Sequence, residues 1–229
     1  MIDVHTHILP MIDDGSKTFD ESIKIVEKAA RSGIKVIVAT PHILEPPSSD
    51  LYEKILRAAR ELEDEIVKRK INITLILGAE FFIFHDLPEY IETHKELIIQ
   101  YKKKKYILLE LPVHQIPIYT EAVIFNLLLS RVIPIIAHPE RNLEIQQKPE
   151  KLKDLIQKGA LTQLNAGSLT GVYGRKVKKT AKILLKKNLI HIMGSDIHSF
   201  SDGTYPLIKG IDAAEKIIGR EKSEQLVNY

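Results

Sequence analysis

The sequence predicts an α/β protein in which parallel strands and helices form a barrel with metal ligands at its carboxyl-terminal mouth. Short apolar runs alternate with longer amphipathic segments along the 229 residues, which is typical of successive βα units. Most of these runs end in histidine or carboxylate residues. A barrel gathers many strand ends at one mouth, whereas an open sheet concentrates its site at one switch point, so the pattern favours the barrel. The length suits a single domain over residues 1–229.

Seven apolar runs predict the strands, because each is short, rich in isoleucine, valine and leucine, and bounded by polar or turn residues. They span residues 2–8, 36–42, 73–82, 106–111, 133–138, 161–165 and 190–196.

The segments between these runs predict helices. Ile23, Val26 and Ala30 recur at the three-to-four spacing of a helix face. Three helices are followed by residues that suit a left-handed end, namely Gly33, Gly159 and Asn188. The predicted helices span residues 19–31, 52–70, 118–130, 149–158, 176–187 and 207–218.

The composition is that of an ordinary globular protein, with 44% hydrophobic and 28% charged residues. The net charge of +3 and the absence of tryptophan argue against a nucleic-acid partner. Lysines at 102–105 form one dense basic run, which predicts either a solvated loop or a contact with a membrane or an acidic partner.

The chain contains no cysteine, which excludes disulfides, thiolate metal sites and a cysteine nucleophile. No apolar stretch approaches the ~18 residues of a membrane-spanning helix. A ligand motif begins at residue 3, which leaves no room for a signal peptide, so we expect a cytoplasmic location.

Five short segments carry metal-binding side chains at the end of an apolar run. A strand alternates its side chains, so His5 and His7 should share one face, and Asp196 should likewise pair with His198. Histidine and carboxylate ligands without thiolate suit manganese, iron or zinc in a hydrolytic site. The segments are DVHTH at 3–7, TPH at 40–42, GAE at 78–80, AHPER at 137–141 and GSDIH at 194–198.

These motifs together resemble the polymerase-and-histidinol-phosphatase (PHP) superfamily. Within it they are similar to the bacterial manganese-dependent protein-tyrosine phosphatases that act on capsule and exopolysaccharide tyrosine kinases. The resemblance covers nearly the whole chain in order. It is carried by IDVHTHILP at 2–10, DDG at 13–15, ATPH at 39–42, IAHPER at 136–141, GSLTG at 167–171 and GSDIH at 194–198.

The resemblance implies a distorted seven-stranded TIM-like (β/α)7 barrel with three metals at its mouth. Manganese is the implied metal, with iron, zinc or magnesium as alternatives. Glu80 would bridge two ions, and Asp13 competes with Asp14 for a third, with Asp14 preferred. Glu110 could instead alternate outward on an edge strand. The implied ligand sets are His5, His7, Glu80 and Asp196; Glu80, Glu110 and His138; and Asp14, His42 and His198.

Hydrolysis would proceed by attack of a metal-activated hydroxide on phosphorus. Arg141 would bind the phosphoryl oxygens, unless it forms a salt bridge with Glu140 or Glu144. The family often carries a further arginine after the Asp-x-His motif, but this chain has none at 199–205. Phosphate binding would then depend more on Arg141 or on Arg175.

The resemblance implies a phosphoric monoester hydrolase that acts on the phosphotyrosine tail of a bacterial tyrosine kinase regulating capsule or exopolysaccharide synthesis. Contact with the membrane would then occur only through the kinase, and the oligomeric state stays open. A histidinol-phosphate phosphatase with the same metals is the main alternative. A proofreading exonuclease and a non-catalytic metal-binding module are further alternatives.

Overall fold

A computed structural model describes residues 1–46 and 48–228, and the strands in these residues are mostly short. They are β1 (Ile2–Thr6), β2 (Val36–Ala39), β3 (His42–Ile43), β4 (Thr74–Leu77), β5 (Glu80–Phe82), β6 (Ile99–Tyr101), β7 (Lys104–Glu110), β8 (Val132–Ala137), β9 (Leu161–Asn165) and β10 (Ile192–Gly194).

All six predicted helices are present, and the bounds of α1 agree with the prediction because Thr18 caps it by accepting a hydrogen bond from the Glu21 amide. Four helices of seven residues or fewer were not predicted, since they are too short to show a periodic pattern. The helices are α1 (Phe19–Arg31), α2 (Ser49–Lys68), α3 (Leu87–Thr93), α4 (Thr120–Leu129), α5 (Leu143–Gln147), α6 (Glu150–Gln157), α7 (Ala166–Thr170), α8 (Arg175–Lys186), α9 (Pro206–Ile218) and α10 (Arg220–Gln225).

The strands are parallel, apart from β6, which is antiparallel to β7. They form a sheet of order β1-β2-β4 and a second sheet of order β10-β9-β8-β7-β5-β3. The predicted α/β architecture with parallel strands is therefore confirmed. In the part of the chain that the structure describes, the pairing gives two sheets and not one closed barrel.

Two of the predicted strands are each broken into two, which places their halves in different sheets. β2 and β3 are separated at Thr40 and Pro41, where proline supplies no amide hydrogen. β4 and β5 are separated at Gly78, where a Cβ would lie 2.4 Å from the side chain of Ile99. The residues after each break, His42 and Glu80, thereby lead into the second sheet.

The two sheets also meet where the end of β1 lies beside the segment after β10. The His7 amide donates to the Ile197 carbonyl at 2.9 Å, and the Asp196 amide donates to the His5 carbonyl at 2.9 Å. A single bridge pairs Thr6 with Ile197. This contact brings the carboxyl end of β1 next to that of β10.

Apolar side chains form two clusters, one between the strands and the surrounding helices and one enclosed at the amino-terminal end of the strands. The second cluster, called the base here, surrounds a cavity of about 40 Å³. It contains Val38, Ile99, Tyr106, Leu108, Ile135, Ala137 and Ile192. None of the helices in the described ranges has the length and hydrophobicity needed to span a bilayer.

Candidate metal centre

The nine residues predicted as ligands lie together at the carboxyl-terminal ends of the strands. Their donor atoms form overlapping groups, and within each group all donors lie within 4.8 Å of one another. The groups are His7, Asp14, His42 and His198; His5, Glu80 and His138; His5, His7 and Asp196; and His42, Glu80 and Glu110.

An irregularity in β1 turns its last residues toward this centre. The register with β2 shifts between Asp3 and Thr6, and Val4 packs against the base while the next residue, His5, faces Glu80. The Nε2 atoms of His5, within the shift, and of His7, just after it, lie 3.1 Å apart. The predicted convergence of these two imidazoles is therefore present in the structure.

Glu80 occupies the middle of the centre and is fully buried. Its Oε2 lies 3.0 Å from His5 Nε2 and 3.1 Å from His42 Nδ1. Its Oε1 lies 2.8 Å from His138 Nε2. Burial alone would raise the pKa of Glu80, but the surrounding histidines outweigh it and hold that pKa well below its usual range.

The buried carboxylates and imidazoles of the centre shift the pKa values of one another. Burial lowers the pKa of His5, but Glu80 and Asp196 outweigh it and raise that pKa to about 9. Burial and the charge of Glu80 raise the pKa of Glu110. The charge of Glu80 thus makes Glu110 harder to ionise unless positive charge is supplied between them.

Hydrogen bonds fix the imidazoles so that one nitrogen of each is directed at the centre. His5 Nδ1 lies 3.0 Å from Gln163 Oε1, and His7 Nδ1 lies 2.8 Å from Asp13 Oδ2. Because these partners accept a hydrogen bond, neutral imidazoles donate through Nδ1 and keep a lone pair on Nε2. Those lone pairs face the carboxylates of Glu80 and Asp196 at 3.0–3.4 Å, which repels unless a cation or a proton lies between them.

His198 follows the same pattern, whereas His42 does not. His198 Nδ1 lies 3.0 Å from the Asp196 carbonyl, which leaves Nε2 directed at Asp14 Oδ1, 3.4 Å away. His42 Nδ1 is buried without a hydrogen-bond partner and faces Glu80. Lone pairs aimed at carboxylates and an unpartnered buried nitrogen are what metal ions would satisfy, so the donor set fits metal binding.

The structure separates the roles of the adjacent Asp13 and Asp14. Asp13 is turned inward, where it accepts from His7 and from the amides of Gly15 and His42. Burial raises the pKa of Asp13, but the hydrogen bond from His7 outweighs it and lowers that pKa to about 2. Asp14 is exposed and directed at His42 and His198, so its role as a metal ligand stays a prediction.

Two of the converging residues have unusual backbone conformations. His138 has a φ of 28° and Asp196 a φ of 54°, a region that residues other than glycine seldom adopt. His138 directly follows β8, and Asp196 lies two residues after β10. The strained backbone re-aims these side chains into the centre.

A polar network that the sequence did not reveal supports the centre from β9. Gln163 accepts from His5 and donates to Asn165 Oδ1 at 2.9 Å, and Asn165 donates to Asp196 Oδ2 at 2.5 Å. All three side-chain partners are buried. The only sequence signal was two amide side chains, at i and i+2, at the end of the strand LTQLN.

Above the donors the mouth opens into a cavity of about 970 Å³. Arg141 lines it and lies 3.4 Å from Asp196 Oδ2. Its guanidinium lies 5.0 Å from the ring centroid of Tyr173, whose hydroxyl is 3.2 Å from the same Oδ2. Tyr173, like Gln163 and Asn165, was not predicted. Burial and the charge of Asp196 raise its pKa, so its hydroxyl stays protonated and can donate.

The alternative salt bridges considered for Arg141 are not formed among the described residues. Glu144 pairs with Lys151, and Glu140 is buried, accepting from Ser168 Oγ at 2.6 Å. Arg175 is exposed at the first residue of α8 and does not line the cavity. The structure therefore brings Arg141 to the centre and leaves Arg175 outside it.

Comparisons with known proteins agree over nearly the whole chain. The family described as "Capsular polysaccharide synthesis, CpsB/CapC" matches residues 1–229. The tyrosine-protein phosphatase YwqE of Bacillus subtilis is 35% identical, covering 96% of this chain and 86% of its own length. The putative tyrosine-protein phosphatase CapC of Staphylococcus aureus is 37% identical, covering 90% of this chain and 80% of its own.

Solved structures give the same result. A structure described with YwqE from B. subtilis and CpsB from Streptococcus pneumoniae as "unique metal-dependent tyrosine phosphatases" matches with a TM-score of 0.85 at 35% identity, covering 99% of this chain and 94% of the other. Histidinol phosphate phosphatase of Lactococcus lactis, solved with zinc, L-histidinol and phosphate, matches with a TM-score of 0.57 at 15% identity, covering 97% and 94%. The second match concerns the fold alone.

Proposed function

This chain belongs to the CpsB/CapC family of capsular polysaccharide synthesis, and from that premise we propose that it is a metal-dependent phosphatase of protein phosphotyrosine. One observation supports this most: donor atoms of nine side chains meet below an open cavity that Arg141 lines. Such a site offers metal ligands, a phosphate-binding cation and room for a protein segment. The absence of cysteine from the chain requires chemistry without a cysteinyl-phosphate.

We infer three metal positions from the donor groups. His5, His7 and Asp196 with Glu80 would hold one ion, and Glu80, Glu110 and His138 a second. Asp14, His42 and His198 would hold the third. Manganese is our first choice, with iron, zinc or magnesium as alternatives, because nitrogen and oxygen donors without thiolate suit all four to different degrees.

Metal ions bound there would act as Lewis acids and lower the pKa of water, so that water can attack phosphorus at neutral pH. Arg141 would offer its planar fork to the phosphoryl oxygens, held in place by Asp196 and by the Tyr173 ring. The Tyr173 hydroxyl donates to Asp196 and so helps fix that carboxylate. A tyrosine phenolate has a pKa near ~10, so it can leave with little help from a general acid.

Several finer statements belong to this proposal. The two sheets would act as one distorted barrel of seven strands, and residues 1–229 as one catalytic domain. The substrate would be the phosphotyrosine tail of a bacterial tyrosine kinase in capsule or exopolysaccharide synthesis, met in the cytoplasm. Arg175 as a second phosphate ligand stays a prediction that its exposed position does not support.

The test is turnover of a phosphotyrosine peptide and of histidinol phosphate by protein stripped with chelator and reloaded with manganese. Reloaded protein should hydrolyse the peptide much faster than histidinol phosphate. Arg141→Ala should lower kcat/KM for the peptide by about 100-fold or more, as loss of a charged contact to a developing anion does. Arg60→Ala removes an exposed arginine from α2 and serves as the matched control.

Faster turnover of histidinol phosphate than of the peptide would overturn the proposed substrate class. Equal activity before and after metal removal would overturn the metal dependence.

A further inference from the structure

A second recess lies on the outside of the molecule, between α7, α8 and α9, and is called the basic groove here. Its volume is about 550 Å³. Four lysines line it, together with a single carboxylate, Asp212, and an apolar floor that includes Leu169 and Ile217. The lysines are Lys178 and Lys182 on α8 and Lys209 and Lys216 on α9.

These lysines have no ion-pair partner among residues 1–46 and 48–228. Five lysines in the described residues carry an ion pair, and none of them lines the groove. The groove therefore concentrates positive charge that the chain itself leaves unbalanced.

The sequence of α8 increases this imbalance at a cost to the helix. It contains six basic residues and no acidic one. Arg175 lies in the first turn, where the helix dipole disfavours a cation, and Lys178 and Lys182 are like charges at i and i+4. An anionic partner in the groove would relieve the repulsion between Lys178 and Lys182, which both line it.

The groove adjoins the mouth. Thr170 lines the groove and Tyr173, three residues later, lines the mouth cavity, so their Cα atoms are at most about 11 Å apart. An extended chain covers that distance in about four residues. A segment with its phosphotyrosine at the metal centre can thus place residues about four to eight positions away in the groove.

On the basis of the proposed function, we propose that the basic groove binds an acidic stretch of the same polypeptide that carries the phosphotyrosine. Lysines facing each other across an apolar floor suit an extended chain with carboxylates on both sides. A flat bilayer would touch the lysine side chains but would not fill the recess or reach its apolar floor. The substrate class is accordingly a phosphotyrosine segment with glutamate or aspartate four to eight residues from the phosphate.

The experiment compares three peptides of equal length on the manganese-loaded full chain. One carries four glutamates at four to eight residues from phosphotyrosine, one carries them next to it, and one has neutral flanks. The distal-acid peptide should show kcat/KM about fivefold to tenfold above the neutral one, mainly through KM, since each exposed charge pair contributes little alone. This advantage should shrink as sodium chloride rises from about 50 to 300 mM.

Lys178→Glu with Lys182→Glu should abolish the preference for the distal-acid peptide. The matched control is Lys176→Glu with Lys179→Glu, which changes the same charge on the same helix outside the groove and should keep the preference. Equal loss in both double variants would indicate general charge attraction and overturn the groove. An equal advantage for the peptide with adjacent glutamates would overturn it as well.

Two further measurements separate the groove from the proposed function and from a membrane. Fluorescence anisotropy with the distal-acid peptide lacking phosphate should show a Kd at least fivefold higher in the groove variant than in the control. If this difference in binding is found but the protein turns over no phosphopeptide, the proposed groove stands and the proposed function is rejected. Loss of sedimentation with phosphatidylglycerol vesicles in the groove variant, with peptide binding unchanged, would overturn the proposal in favour of a lipid surface.

Discussion

The mouth and the base are built by the same segments of the chain, yet their chemistry is opposite. At the base, β1 contributes Ile2 and Val4 to an apolar cavity of about 40 Å³. At the mouth, the same segment contributes His5 and His7 to a centre below a cavity of about 970 Å³. Similar changes from apolar to polar occur from Val38 to His42, Ile76 to Glu80 and Ile135 to His138, so stability and chemistry are placed at opposite ends.

The difference shows how one chain can bury many ionisable groups. The base gains free energy by removing apolar surface from water. The mouth buries carboxylates and imidazoles that repel or lose solvation unless they are paired or bind metal. Substitutions at the base should therefore lower the free energy of unfolding, and substitutions at the mouth should lower metal binding and activity.

The largest effect is expected for Glu80→Gln, which keeps the size of the side chain and removes its charge. Glu80 contacts His5, His42 and His138, so its loss should lower bound metal by at least one ion per chain. Loss of a residue that only hydrogen-bonds to a metal ligand lowers activity by ~10–100-fold, and the activity of Glu80→Gln should fall by more than that. Metal analysis of the purified protein measures the bound ions, and turnover of the peptide measures the activity. Full metal content with normal turnover would contradict the central role of Glu80.

Leu108→Ala should produce the opposite phenotype at the base. Leu108 is fully buried, and its truncation should cost about 2–5 kcal/mol of unfolding free energy. Bound metal and kcat at 25 °C should stay unchanged. Urea unfolding measures the loss, and Val67→Ala on the exposed face of α2, where Val67 is 70% exposed, is the control, expected within about 0.5 kcal/mol. A fall in metal content would show that base and mouth are coupled.

Gln163→Leu should affect the mouth less than Glu80→Gln, because Gln163 acts through His5. Losing the acceptor for His5 Nδ1 should weaken metal affinity by about 10–100-fold. Chelator competition measures that affinity, and turnover at saturating metal should largely recover. Gln163→Glu retains an acceptor and should restore much of the affinity. Gln157→Leu on the exposed part of α6 is the control. Lost turnover at saturating metal would instead place Gln163 in the chemistry.

The smallest effect is expected for Tyr173→Phe. It removes the hydroxyl from Asp196 but keeps the ring beside Arg141. Loss of one hydrogen bond of about 0.5–1.5 kcal/mol should lower kcat/KM by roughly 2–10-fold. Tyr119→Phe removes a similar hydrogen bond, to the Ile83 carbonyl, away from the mouth lining and should leave kcat/KM unchanged. Equal effects in both variants would show that Tyr173 acts only through stability.

The sequence allowed the parallel α/β architecture and the clustered donors to be predicted, because apolar periodicity and ligand types are local signals. The break at Gly78 was not predictable, since it depends on the distant Ile99 filling the space above that glycine. Gln163 was missed for the same reason: its partner His5 is 158 residues away. The closed barrel and the metal-ligand roles stay predictions.

The left-handed backbone at His138 and Asp196 also limits how this centre could change in evolution. Aspartate, asparagine and histidine are the non-glycine residues that adopt this conformation most readily, and β-branched residues are strongly disfavoured. Many single replacements there would lose a donor and add backbone strain at the same time. The two positions should therefore tolerate a narrower set of residues than His5, which does not have a positive φ. A saturation library would recover mainly histidine, aspartate, asparagine and glycine at these two sites.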